Sequence, residues 1–212
     1  MKISSSLFEN NNAFYGGAIY LYQENNYIED GTSSNNNDEN INFEITDSIF
    51  QNNNANYYGG ALFINTKSIN LNNLKNNTFI GNKAYAGGAI YTSIDKINDS
   101  NNEKNIKSQF KSNKVNFDNN ISESHGNDYA SNPLMINTVL SSTNKNGNKI
   151  KSGETYSLSF NMTDIYGQIV KDMSKYYNNF MISLKNKNEE NSNDDIILTD
   201  NNCIFSNGKK LI

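Results

Sequence analysis

The chain has no arginine and no tryptophan, and among its 212 residues there is one cysteine, one proline and one histidine. Each absence excludes something. All 18 basic residues are lysines, scattered along a chain of net charge -4 and pI 5.1. No basic stripe exists to release counterions from a nucleic-acid backbone, so DNA and RNA are not expected partners. A lone Cys203 cannot close an internal disulfide and reads as a small buried hydrophobe. No apolar run reaches the roughly 18 to 20 residues that span a bilayer. Met1 to Asn12 has no apolar core for a secretory signal. The chain does have 45 asparagines, and Leu, Ile, Val and Phe together make 48 residues. That is enough apolar material to fold a chain of low net charge, so the expectation is a folded protein with Asn-rich insertions.

Self-similarity organises the first two-thirds. Phe8-x-x-Asn11-x-Ala13 leads into Gly16-Gly17-Ala18-Ile19-Tyr20; Phe50-x-x-Asn53-x-Ala55 into Gly59-Gly60-Ala61-Leu62-Phe63; and Phe79-x-x-Asn82-x-Ala84 into Gly87-Gly88-Ala89-Ile90-Tyr91. A decayed copy runs from Phe117 and Asn120 to Gly126, Tyr129 and Ala130, and Phe110 with Asn113 marks a partial copy before it. The glycine pairs are 43 and 28 residues apart, and an Asn-rich insertion between Gln23 and Asn40 absorbs the difference. Each copy reads as strand, Asn-rich turn, strand. Ahead of the second, Ile41, Phe43 and Ile45 alternate with polar residues as a half-buried strand does. Such a unit cannot bury its apolar face alone, so copies must stack. Stacking at roughly 4.8 Å puts Asn11, Asn53, Asn82 and Asn120 in one amide ladder and limits the size of Ala13, Ala55 and Ala84. The glycine pairs supply positive φ and close backbone approach. The spacing predicts an all-β fold, a right-handed parallel β-helix over residues 1–132. A β-propeller would need roughly 40 to 50 residues per blade.

These repeats resemble the polymorphic outer membrane protein repeat of chlamydial autotransporter adhesins and of large ciliate surface proteins. The resemblance implies a cell-surface or extracellular location and an adhesion-type role. Gly126 to Pro133 is similar to the segment that ends such arrays in the ciliate proteins, and the Asn and Lys bias resembles that of an AT-rich protist genome. Because the leading strand of the first copy should begin before Met1, the chain is expected to be part of a longer polypeptide. Membrane attachment is expected only through segments outside it.

After Pro133 the repeat stops. Tyr156, Leu158, Phe160 and Met162 alternate with polar residues, Asp164-Ile165-Tyr166-Gly167 turns the chain, and Phe180 to Leu184, Ile196 to Leu198 and Ile204 to Phe205 mark further strands. Residues 133–212 are similar to Ig-like surface modules, an incomplete β-sandwich.

Little here resembles reactive chemistry. Pectate-lyase-like and polygalacturonase-like catalysis on β-helices relies on arginine with carboxylates, and this chain has no arginine. Asp47, Asp95 and Asp118 fall at unrelated repeat offsets. His125 has no partner placed by any motif and reads as a surface or capping residue. Glu189-Glu190 and Asp194-Asp195 read as a solvated acidic loop rather than a calcium site. The paired tyrosines, Tyr57-Tyr58 and Tyr176-Tyr177, read as core or ladder residues that could also stack on sugars. No catalytic residue, metal or cofactor is expected. The sequons at Asn76, Asn98, Asn120 and Asn161 permit N-glycosylation if the chain is secreted. The sequence therefore points to a non-enzymatic surface module contacting a protein or glycan; the alternative is a carbohydrate-active β-helix enzyme.

Overall fold

The computed structural model describes residues 1–22, 43–65, 71–93, 103–140, 158–172, 176–177, 181–183, 202–204 and 209–211. They fall in two compact units, Met1–Leu134 with Asp164–Gln168, and Met135–Thr163 with Ile169–Ile212.

The first unit is a stack of four coils. The first contains β1 (Lys2–Ser4), β2 (Leu7–Glu9), β3 (Asn12–Tyr15) and β4 (Ile19–Tyr22), and the second β5 (Glu44–Thr46), β6 (Ile49–Gln51), β7 (Asn54–Tyr58) and β8 (Leu62–Asn65). The third has β9 (Leu74–Lys75), β10 (Thr78–Ile80), β11 (Lys83–Ala84) and β12 (Ile90–Thr92), and the fourth β13 (Asn116–Asp118), β14 (Ile121–Ser122) and β15 (Tyr129–Ser131). Every pairing between coils is parallel, giving sheets β1-β5-β9, β2-β6-β10-β13, β3-β7-β11-β14 and β4-β8-β12-β15. This is the stacked parallel geometry of a β-helix.

Two sequence expectations change here. The Asn-rich middle of each repeat is a corner followed by a further short strand, not a turn alone. The leading strand of the first coil lies within the chain as β1, paired in register with β5, Lys2 opposite Glu44.

Like residues meet like residues because the registers hold. Phe8, Phe50, Phe79 and Phe117 are in register and stack with ring centroids 4.8, 4.8 and 5.5 Å apart. Phe50 and Phe79 are fully buried, each worth roughly 1.5 to 3 kcal/mol of hydrophobic stabilisation. Ile45 and Leu74 form the next column, and Ile19, Leu62 and Ile90 a third.

In the fourth coil a helix, α1 (Glu103–Ser112), precedes β13. The expected partial repeat at Phe110 is therefore helical. Phe110 nonetheless reaches the same core, edge-on to Phe117 at 5.4 Å and 4.9 Å from Tyr129. Asn113 just beyond the helix ties it down by donating from Nδ2 to Leu71 O at 2.7 Å.

Besides the glycine-pair corner, two series of corners turn each coil. Ser5, Asp47, Asn76 and Lys114 occupy one, and Asn10, Asn52, Gly81 and Asn119 the other, all with φ between 48° and 60°. Asparagine tolerates this left-handed region better than other side chains. That preference accounts for part of the asparagine content.

In the second unit, β16 (Pro133–Leu140), β17 (Leu158–Asp164) and β20 (Lys209–Leu211) form one sheet, and β18 (Met181–Ser183) pairs with β19 (Asn202–Ile204). The β17·β20 and β18·β19 pairings are antiparallel. Phe160, Met162 and Val170 are buried there.

Candidate functional site

Just past each second corner, an asparagine turns inward. Asn11, Asn53 and Asn82 each donate from Nδ2 to the next rung's Oδ1, at 2.8, 2.9 and 2.9 Å. The same oxygens on Asn53, Asn82 and Asn120 also accept from the backbone N–H of the rung before, at 3.0 to 3.1 Å. Asn53, Asn82 and Asn120 donate back to the carbonyls of Phe8, Phe50 and Phe79. A second polar column, not recognised in the sequence, follows the other corner. Ser6 N–H donates to Ser48 Oγ, Ser48 N–H to Asn77 Oδ1, and Asn77 Nδ2 to Ile45 O. Both columns are scaffolding.

The two glycines of each pair do different work. Gly16, Gly59 and Gly87 carry the positive φ. A Cβ on Gly17, Gly60 or Gly88 would instead fall on a carbonyl oxygen of the next coil, from Gly60, Gly88 or Asn127.

Beyond the glycine corner, inward and outward residues alternate along β4. Ile19 and Leu21 enter the core, while Tyr20 and Tyr22 point outward and are 50% and 52% exposed. Register places Phe63 and then Tyr91 beside Tyr20, with ring centroids 5.1 and 5.6 Å apart. Before the corner, Tyr15 packs on Tyr57 at 5.2 Å and Tyr58 at 5.8 Å, and lies 6.3 Å from Tyr20. Phe14, 63% exposed, stacks on Tyr57 at 6.0 Å. The result is a continuous outward aromatic face. It is most exposed on the first coil and buried at Tyr91, whose hydroxyl donates to Asn132 Oδ1 at 2.8 Å. The sequence drew attention to the Tyr57-Tyr58 pair; the period-two placement of Tyr20 and Tyr22 was the signal for the rest.

At the fourth coil, five residues from later in the chain, Asp164–Gln168, join the first unit. Gly167, with φ 73°, lets the chain turn. The fully buried Asp164 carboxylate accepts from the backbone N–H groups of Ser131 (3.2 Å), Tyr166 (3.0 Å) and Gln168 (2.8 Å) and from the Gln168 side chain (3.0 Å). Burial raises its pKa to about 6, against the lowering effect of those hydrogen bonds. The Tyr166 hydroxyl bonds Thr92 Oγ1 at 3.0 Å, and burial is the main force pushing that phenol's pKa up.

His125 belongs to this buried cluster, so its expected surface location is corrected to a capping one. Its Nδ1 bonds Ser124 Oγ at 2.9 Å, its Nε2 donates to Ser131 O at 3.0 Å, and Asp164 Oδ2 lies 3.8 Å from Nε2. Nucleophilic catalysis by serine needs the hydroxyl and the carboxylate on opposite ring nitrogens, with the hydroxyl open to substrate. Here a main-chain carbonyl takes Nε2, and both Ser124 and His125 are buried. The arrangement lacks that geometry and ties the Asp164 segment to the last coil. In sequence the Asp164 segment reads only as a turn.

Among the sequons, Asn76 is exposed at a corner, Asn120 is a buried rung, Asn161 is half-buried on β17, and Asn98 lies outside the described residues. The acidic pairs Glu189-Glu190 and Asp194-Asp195, the Gln23 to Asn40 insertion and Asp95 also lie outside them. Among the described residues no group of three His, Cys, Asp or Glu side chains could hold a metal ion. No helix there is long and apolar enough to cross a membrane.

The sequence profile of the Chlamydia polymorphic membrane protein (Chlamydia_PMP) repeat matches residues 78–93. That stretch runs from β10 through β12 and contains the core Phe79, the rung Asn82, the Gly87-Gly88 corner and the outward Tyr91. The chain carries a repeat of this kind. Comparison with curated proteins and with solved structures gives no match.

Proposed function

We propose that this chain is a non-enzymatic cell-surface module in which a right-handed β-helical stalk presents the outward aromatic face for contact with a protein or glycan. The observation that carries the reading is the register of Tyr15, Tyr20, Tyr22, Tyr57 and Tyr58 on the outside of the stack. Tyrosine is enriched at interfaces because it offers a large apolar ring, a polar tip and few rotors to immobilise. Rings held against neighbours lose little further entropy on contact. The polymorphic membrane protein repeat at residues 78–93 supports a surface setting. The antiparallel pairs β17·β20 and β18·β19 support an Ig-like reading of the second unit.

The test is binding of the purified chain to a glycan array and to intact cells. Tyr20→Ser with Tyr22→Ser should abolish binding, whereas Tyr176→Ser, at an exposed tyrosine of the second unit, should not. Retention of full binding by the double variant would sink the proposal. Reproducible uronide release or lyase absorbance that is lost in His125→Ala would instead establish the carbohydrate-active alternative.

A further inference from the structure

We propose that His125 and Asp164 form a pH-sensitive clasp that holds the Asp164–Gln168 turn against the last coil, more tightly in mildly acidic than in mildly alkaline solution. The pair is buried on both sides, with side-chain exposures of 1% and 0%, and separated by 3.8 Å. Among the described residues the four donors to the carboxylate are all neutral amides. Without a proton on the pair, a full negative charge sits in a dry site with hydrogen bonds but no counter-charge, which is costly. One added proton makes the pair imidazolium and carboxylate, or imidazole and acid. Either is neutral overall, and the proton belongs to the pair rather than to one residue.

The local hydrogen bonds accommodate that proton without loss. Nε2–H donates to Ser131 O in both states. The Ser124 hydroxyl donates to a neutral Nδ1 and, once rotated, accepts from a protonated one. The other ionisable groups of the cluster, Tyr129 on β15 and Tyr166 on the turn, are phenols that carry no charge between pH 5 and 8. Burial shifts Asp164 upward, which has the same sign. A group that binds its proton more tightly when docked favours docking below its docked pKa and loses that contribution as pH rises. Released, the turn would give up the Tyr166–Thr92 bond, the Ile165 N–H to Ser131 Oγ bond at 3.0 Å and the Gln168 Nε2 to Tyr129 O bond at 2.9 Å.

His125 is the chain's one histidine, so the full chain, purified without a histidine tag, reports on the pair directly. In an NMR titration the His125 ring midpoint should fall by about one pH unit in Asp164→Asn, a tenfold change in proton affinity. In the native chain the Tyr166 and Gln168 amides, corrected for intrinsic exchange, should exchange about tenfold faster at pH 7.5 than at pH 5.5. Tyr166→Phe should keep that pH dependence. Equal ring midpoints in the native and Asp164→Asn chains would overturn the clasp. If Asp164→Asn does not fold, the native exchange rates decide alone, and protection that does not weaken with rising pH overturns it.

Discussion

Asn82 donates through Nδ2 to Asn120 Oδ1 at 2.9 Å while its own Oδ1 accepts from Asn53, so one side chain joins three coils. Counting its bond to Phe50 O and the one from Asn53 N–H, four hydrogen bonds converge on a fully buried amide.

Asn82→Ala would leave the Asn53 donors and the Phe50 carbonyl without that partner in a dry interior. A buried polar group left unsatisfied costs roughly 1 to 3 kcal/mol, and a loss of about 3 kcal/mol is expected. Asn11, the exposed outer rung, makes one side-chain bond among the described residues, Nδ2 to Asn53 Oδ1 at 2.8 Å. Asn11→Ala should cost less than about 1 kcal/mol. Urea titrations of both variants check the ordering, and equal losses would mean the ladder is not a stability element.

Gly60 and Gly81 separate two reasons for glycine. The sequence suggests that Gly60→Val would strain a positive φ; in fact Gly59 has that φ, and Gly60 is constrained by the backbone of the next coil. A Cβ there would meet Gly88 O and approach Lys83 O and N at 2.6 and 2.7 Å, so Gly60→Ala should cost upward of about 4 kcal/mol or prevent folding. At Gly81 (φ 60°) a Cβ would meet the end of the Asn52 side chain, 2.7 Å away, and no other described residue comes close, while the other coils place asparagine at that corner. Gly81→Asn should therefore stay within about 0.5 kcal/mol of the parent, as thermal melts would show.

These cases also indicate what a sequence can display. The spacing of Phe, Asn and Gly-Gly is legible because each such residue packs against its own copies, and a shared environment leaves a shared residue. Neighbouring asparagines are harder to separate. In Asn10-Asn11, Asn52-Asn53 and Asn119-Asn120 the first turns the chain and the second faces inward, and only the repeat offset distinguishes them. Placement of Phe110 on a helix was hidden because its core role resembles that of the repeat phenylalanines. Docking of Asp164–Gln168 on Ser131, 33 residues back along the chain, occurs once and has no periodicity to reveal it. Outward Tyr20 and Tyr22 were visible in the alternation of β4, but their exposure depends on what lies beside them.

Burial of Asp164 sets a pH dependence of stability. Its carboxyl rises from 3.8 to about 6 on folding, so the folded chain binds more protons than the unfolded one between those values. Stability contributed by this group is greatest below about pH 4 and falls as pH rises through about 6. The shift corresponds to roughly 3 kcal/mol across that window. Other carboxylates contribute as well, so the checkable quantity is the difference in unfolding free energy between the native chain and Asp164→Asn. That difference should become less favourable to the native chain by up to about 3 kcal/mol between pH 4 and 7. A difference that does not change with pH would contradict the burial argument.

Glycan occupancy tests the ladder from another direction. Asn76 sits exposed at a corner, its Nδ2 donating to Asp47 Oδ1 at the surface, so a glycan there can extend into solvent. Asn120 Nδ2 donates to Phe79 O at 3.1 Å and to Asp128 Oδ1 at 3.2 Å from a site 4% exposed. A sugar on that nitrogen would remove a donor and force the fourth coil away from the third. Chain secreted from a glycosylating eukaryotic host should therefore carry glycan at Asn76 and none at Asn120, read by mass spectrometry after enzymatic deglycosylation in heavy-oxygen water. Asn76→Gln should remove that glycan and cost about 1 kcal/mol or less, the scale of an exposed hydrogen bond. Full occupancy of Asn120 in a secreted chain that still unfolds cooperatively would show that the last rung is dispensable, and with it the reason for asparagine at that offset.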